Sequence, residues 1–161
     1  MTRGVPGPGL PGLPDSDPRH EEAIAVLRGM YEAYQRGDTA AIDAVLSPEL
    51  TIFDSVHADI IVGLDELNEV RSQRGSGEGS GSGAVETAVT MVAPQAFDKG
   101  DGILVVYWLR VDYADAHGDR LEPELSRTTA WMRLEGGSWK IVHIHEDVWA
   151  PMRPAHQGRT G

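Results

Sequence analysis

The residues of this chain that could do chemistry fall into a few groups. The stretch WKIVHIHEDVW, residues 139–149, carries His143 and His145 one residue apart, followed at once by Glu146 and Asp147. Asp54 closes the segment LTIFD, with His57 three residues on. The two could act as an Asp–His proton-transfer pair, or His57 is simply a solvated loop histidine. Arg110 and Asp112 stand two residues apart in an otherwise apolar run, and a buried guanidinium needs a carboxylate partner or an anionic ligand. Tyr34 and Trp108 could wall an apolar pocket, although such aromatics are more often plain core.

The two histidines raise the question of a metal. On one strand they would share a face about 7 Å apart, a spacing at which two imidazoles can ligate one ion. A third ligand must then come from a neighbouring strand. The segment before them offers Arg127, Thr129, Trp131 and Arg133 on one face, and only Ser126 and Thr128 on the other. Glu146 alternates to the face opposite both histidines. Cysteine is absent from the chain, which removes thiolate ligands, thiolate nucleophiles and disulfides. The expectation is a protein with neither metal nor cofactor.

Composition narrows the partners. The chain has 161 residues, 40% hydrophobic and 24% charged, ordinary values for a single globular domain. Its formal net charge of -11 repels phosphate backbones and anionic lipid, so neither nucleic acid nor a membrane surface is an expected partner. No run of about 18 apolar residues is present, and no basic segment followed by an apolar core opens the chain. A cytoplasmic location is expected.

These residues must be held by elements that the pattern predicts as follows. Residues 1–16 are rich in glycine and proline without apolar periodicity and read as a flexible tail, as do residues 151–161. Between them, residues 17–150 form one domain. Asp17-Pro18 opens a helix whose apolar face is Ile24, Leu27, Tyr31 and Tyr34; Gly37 stops it. Asp38 caps a second helix ended by Pro48. Short strands at 50–54 and 60–62 precede a third helix from Asp65 to about Arg74. The stretch GSGEGSGSG, residues 75–83, reads as a mobile loop, either a lid or a tolerated insertion. Four strands follow, at 85–93, 103–114, 121–134 and 139–148, separated by the turn sequences DKGDG, DAHGD and EGGS. Three helices before a long antiparallel sheet is an α+β arrangement.

On the segments YEAYQRGDTAAIDAVLSPELTIFD, GLDEL and TAWMRLEGGSWKIVHIHED, the chain from about Asp17 to Trp149 resembles the NTF2-like superfamily, which includes SnoaL-like cyclases and ketosteroid isomerases. Its endings look most like the association domain of calcium/calmodulin-dependent kinase II and bacterial relatives of that domain. The resemblance implies a cone-shaped α+β barrel: three helices on a curved antiparallel sheet, one sheet face lining the cone and the other packing on a partner subunit. Alternation divides 103–113 into a wholly apolar odd face and an even face running from apolar to charged. With the even face lining the cone, Val105, Tyr107, Leu109 and Val111 become the homodimer surface, joined by His143 and His145. Arg110 matches a pocket arginine of the kinase association domain, whose further arginines fall at Thr129 and Glu146 here. The anion-binding set is thus replaced, and an Arg110–Glu146 pair joined by Asp112 is expected in its stead.

Asp54, with Gly63 nine residues on, matches the spacing around the general base of ketosteroid isomerases, where an apolar pocket tunes a carboxylate for proton transfer between carbons. The oxyanion-hole tyrosine of that family falls at Met30, and its protonated acid near Thr129 or Ala130, so steroid isomerisation is not expected. Two functions remain open. One is a pocket protein that binds, and transforms by cofactor-free acid/base chemistry of the isomerase, cyclase or dehydratase type, a hydrophobic, polyketide-like metabolite. Asp54 and Glu146 would be catalytic there, with Arg110, Asp112, Trp108, Tyr34, Thr129 and His57 about the substrate. The other is a non-catalytic module that binds a ligand or assembles subunits.

Overall fold

A computed structural model describes residues 17–76 and 83–151. Residues 1–16 and 152–161, and all but the ends of the glycine/serine stretch, lie outside the described residues. The α+β class holds: three helices pack on one six-stranded sheet.

Helix α1 runs Pro18–Arg36. Asp17 caps it by accepting from the Arg19 backbone N–H at 3.0 Å, and Gly37 ends it in the left-handed conformation at φ 68, where a Cβ would be strained. Asp38 caps α2, Thr39–Val45, by accepting from the Ala41 N–H. The chain turns directly into β1, Leu46–Phe53, which begins four residues before the expected strand. After β2, Ile61–Val62, comes α3, Gly63–Ser76, so the first residues of the glycine/serine stretch are helical.

The meander that follows is β3 (Val85–Asp98), β4 (Ile103–Ala114), β5 (Glu124–Glu135) and β6 (Ser138–Ala150). Strand order is β2-β1-β6-β5-β4-β3, with every pair antiparallel except β1 and β6, which run parallel. The sheet is open, with β2 and β3 as its edges, and does not close into a barrel. Edge position tolerates Pro94, which sits at a bulge in β3 beside Ala93 at φ 50. In the β3–β4 turn only glycine fits at 102, because a Cβ there would lie 2.6 Å from the Met132 carbonyl oxygen.

The core lies between the helices and one sheet face, here termed the inner face. On β4 it holds Ile103, Val105, Tyr107, Leu109 and Val111, all buried. The two faces of this strand are therefore the reverse of the expected assignment. Helices, with the cavity below them, cover the wholly apolar face, and Val105, Tyr107, Leu109 and Val111 cannot meet a partner subunit. On β5 the inner residues are Glu124, Ser126, Thr128, Ala130 and Met132. On β6, Val142 is an extra residue in a bulge, since Trp131 pairs with His143 and Met132 with Ile141. Ile141 and Ile144 consequently both face inward, where simple alternation predicts Val142. Gln35 clips α1 to β3, donating to the Val89 carbonyl at 3.1 Å and accepting from its N–H at 3.0 Å.

Candidate ligand pocket

Between the inner face and helices α1 to α3 lies a cavity of about 360 Å³. Its apolar wall comes from Met30, Ile42, Leu46, Ile52, Leu109 and Ile144. The size and the mostly apolar lining with a few polar groups are those of a small-molecule site.

Strand register places the polar residues. Thr128 stands between Tyr107 on one side and Glu146 on the other, each a direct Cα partner. The Tyr107 and Tyr31 hydroxyls are 2.7 Å apart, a hydrogen bond joining β4 to α1. Burial raises both phenols above their ordinary range, so both are neutral O–H groups. Thr128 Oγ1 and Ser126 Oγ are buried without a hydrogen-bond partner among the described residues. The inner face thus carries a polar band across an apolar floor.

Glu146 is the perturbed acid of this band. Burial, and after it the negative charge of Asp54, push its pKa from the ordinary 4.5 up to about 7, against a hydrogen bond from the Ser55 hydroxyl at 3.3 Å. Asp54, at the end of β1, lines the same cavity with different partners. It accepts from the Val56 N–H at 2.8 Å in a turn, and the Arg74 guanidinium lies 3.0 Å from it. Tyr34 lines the mouth and donates to Glu86 at 2.8 Å. Burial holds the Tyr113 phenol up at about 12, and Glu124 is also raised, by burial first and by Glu86 second.

Other expected site residues lie elsewhere. Arg110 pairs with Asp112 at 2.8 Å on the outer face, so the expected Arg110–Glu146 pair does not form: alternation sends the two to opposite sides of the sheet. Trp108 is on that same outer face, edge-on to Trp149 at 6.4 Å, and does not wall the cavity. Thr129 is likewise an outer-face residue, paired in register with His145 and Val106. His57 sits in the turn after Asp54 with Nδ1 2.8 Å from the Asp59 carbonyl oxygen, apart from the cavity lining. Sequence reasoning passed over Glu86, Glu124, Tyr31 and Arg74. A polar residue on the inner face of β5 was the available sign for Glu124, because it shares that face with buried Ser126 and Thr128.

Both histidines are on the outer face. His143 Nδ1 is 2.7 Å from the Thr51 hydroxyl, and burial lowers its pKa, while the His145 ring lies against Phe53. Among the described residues, three donors converge within 4.8 Å only at Asp17, His20 and Asp98, and there Arg19 already pairs with both carboxylates.

The family model of the SnoaL-like domain matches residues 24–151, the whole of this sheet and nearly all of the helical layer. The chain belongs to the SnoaL-like domain family. Solved structures agree on the NTF2-like fold of this SnoaL-like domain. The CaMKII hub homology domain of Chlamydomonas reinhardtii matches with a TM-score of 0.66 at 18% identity, covering 82% of this chain and 98% of that one. The association domain of C. elegans CaMKII matches at 0.64 and 18%, covering 81% and 95%. An NTF2-like protein of Pseudomonas putida KT2440 matches at 0.64 and 19%, covering 83% and 87%. At such identities the likeness is one of fold. No curated protein matches the chain. Among the described residues no helix of this SnoaL-like domain is long and apolar enough to cross a membrane.

Proposed function

We propose that this SnoaL-like domain binds a small, largely apolar metabolite, of the polyketide-like kind its family resemblance implies, and moves a proton on it without a cofactor. The observation that carries this reading is Glu146, a carboxyl group in an apolar cavity whose proton is half occupied near pH 7. A general acid or base works best when its pKa lies near the working pH. Arg74 pairs with Asp54, whose charge raises Glu146 and whose position at the cavity keeps it a candidate for the second proton-transfer group. Tyr31 lines the cavity and shares one hydrogen bond with the Tyr107 hydroxyl; with Tyr107 as the donor, the Tyr31 O–H is left to meet a developing enolate oxygen. Isomerisation, aldol-type cyclisation and dehydration all begin with such a proton abstraction next to a carbonyl.

The test is solvent deuterium incorporation into a panel of cyclic and aryl ketones, followed by NMR. Exchange above the buffer rate that is lost in Glu146→Gln supports the reading. Exchange unchanged in that variant would remove Glu146 from the chemistry.

A second reading rests on the outer face. Val62, Phe53, Trp108 and Trp149 are exposed there between the Arg110–Asp112 and Arg127–Asp147 pairs, and large apolar side chains exposed together call for a cover. Two structural relatives are named a hub homology domain and an association domain, and the same face in this chain fits assembly of identical copies. His143 and His145 lie on it as expected of a dimer surface. Assembly and a pocket on the opposite face are compatible.

A further inference from the structure

Counting the charges of the cavity together with their partners separates two kinds of acid. Both guanidinium groups of the lining are already spent. Arg71 lies 2.8 Å from Asp43 and donates to Asn68 as well, and Arg74 is taken by Asp54. Three carboxyl groups of the lining have no such partner. Glu86 receives only the Tyr34 hydroxyl and Glu146 only that of Ser55, while Glu124 has no hydrogen-bonding side chain at all among the described residues. No cationic side chain among the described residues lies within salt-bridge distance of any of the three. They also sense one another: Glu86 acts on Glu124, and Glu124 on Glu146. Glu124 and Glu146 are partly buried and Glu86 is exposed beside them; like charges that lack a direct ion pair in such a setting are costly, and their natural complement is a cation. Tyr34 and Tyr113 line the same part of the cavity, and aromatic rings can add to the binding of a cation. The chain's net charge of -11 works in the same direction, concentrating cations and repelling anions.

We infer that the metabolite taken up by this cavity carries a protonated amine on an apolar body, with the ammonium group received among Glu86, Glu124 and Glu146 and the body against the apolar wall. The inference deepens the ligand-pocket reading given above and rests on it. Burial already raises the Glu146 pKa to about 7, so this acid holds a proton near neutral pH. An ammonium group would displace that proton, so binding releases protons near neutral pH and tightens as pH rises through about 7.

The experiment uses matched probes. Phenyl, indole and naphthalene rings are each given the same two-carbon arm ending in an amine, an alcohol or a carboxylate, and binding is measured by calorimetry at pH 8. The amine of at least one ring should bind roughly tenfold or more tightly than its alcohol, the carboxylate should bind most weakly, and Glu124→Gln should shrink the preference for amine over alcohol. Calorimetry in buffers of differing ionisation enthalpy should show proton release with the amine at pH 7. Alcohols binding as well as their amines, or carboxylates binding best, would overturn the inference and leave the pocket reading standing. If no probe of any charge binds, the pocket reading falls and takes the inference with it.

Discussion

Asp54 and Glu146 line one cavity and differ in their partners: Arg74 stands 3.0 Å from the Asp54 carboxylate, whereas among the described residues Glu146 has only the Ser55 hydroxyl, at 3.3 Å. From that asymmetry follows a difference in role between an ion-paired carboxyl group and a titrating one. Removing either side of the Asp54–Arg74 pair should therefore move Glu146 in opposite directions. Asp54→Asn takes away a negative neighbour and lowers the Glu146 pKa below about 7; Arg74→Gln takes away a positive one and raises it. Shifts of roughly one unit or less are expected, read by carboxyl carbon NMR. Movement in the same direction in both variants would contradict the arrangement.

Glu146 also leaves a signature in stability. Its folded pKa, about 7, lies above the ordinary 4.5, so the folded state holds this proton more tightly than the unfolded chain does. Its contribution is full below pH 4.5 and is lost as pH rises through 7, on the order of 3 kcal/mol across that window. Glu146→Gln keeps the shape and removes the charge. At pH 8 the variant should melt roughly 5 to 10 °C above the parent, and at pH 5 the two should nearly coincide. A gap in melting temperature that is the same at both pH values would refute this.

How much of this could be read from the sequence depended on how local the deciding physics is. Asp17-Pro18, Gly37 and Asp38 set helix ends through contacts within a few residues, and their reading was right. Strand alternation likewise put His143 and His145 on one face and Glu146 on the other. It failed at Val142, where a bulge inserts one residue into β6 without any mark such as glycine. The faces of β4 were distinguished correctly but assigned to the wrong sides. An apolar strand face looks the same whether helices or a second subunit cover it, and only the path of α1 and α3 decides. That reversal carried Arg110, Trp108 and Thr129 out of the site together. The parallel pairing of β1 with β6, and the meeting of Glu86, Glu124 and Glu146, join residues far apart in the chain, with no local cue.

The Tyr31–Tyr107 hydroxyl pair should behave as a unit. Both rings are buried, so Tyr107→Phe strands the Tyr31 hydroxyl and Tyr31→Phe strands that of Tyr107, each costing about 1 to 3 kcal/mol. The double variant leaves neither polar group unpaired and should lose much less than the sum. Urea unfolding of the four proteins measures the coupling, and strictly additive losses would show that the hydroxyls do not depend on each other.

The outer face offers a final test through its middle row. Val106, Thr129, His145 and Phe53 lie side by side across β4, β5, β6 and β1, with Trp108 and Trp149 in edge-on contact above them. A two-fold interface repeats its central residues against themselves, so a charge placed there meets its own copy and is repelled twice over. Val106→Glu should therefore convert a self-associated protein into a monomer, while a charge reversal at the far corner of the sheet, Lys99→Glu, should leave association intact. Sedimentation velocity at micromolar concentration reads both. A parent protein that sediments as a monomer would end the assembly reading, and the exposed aromatics of this face would then stand uncovered in solution. Dissociation of Val106→Glu without change in ligand affinity would establish that the cavity on the inner face is complete within one chain.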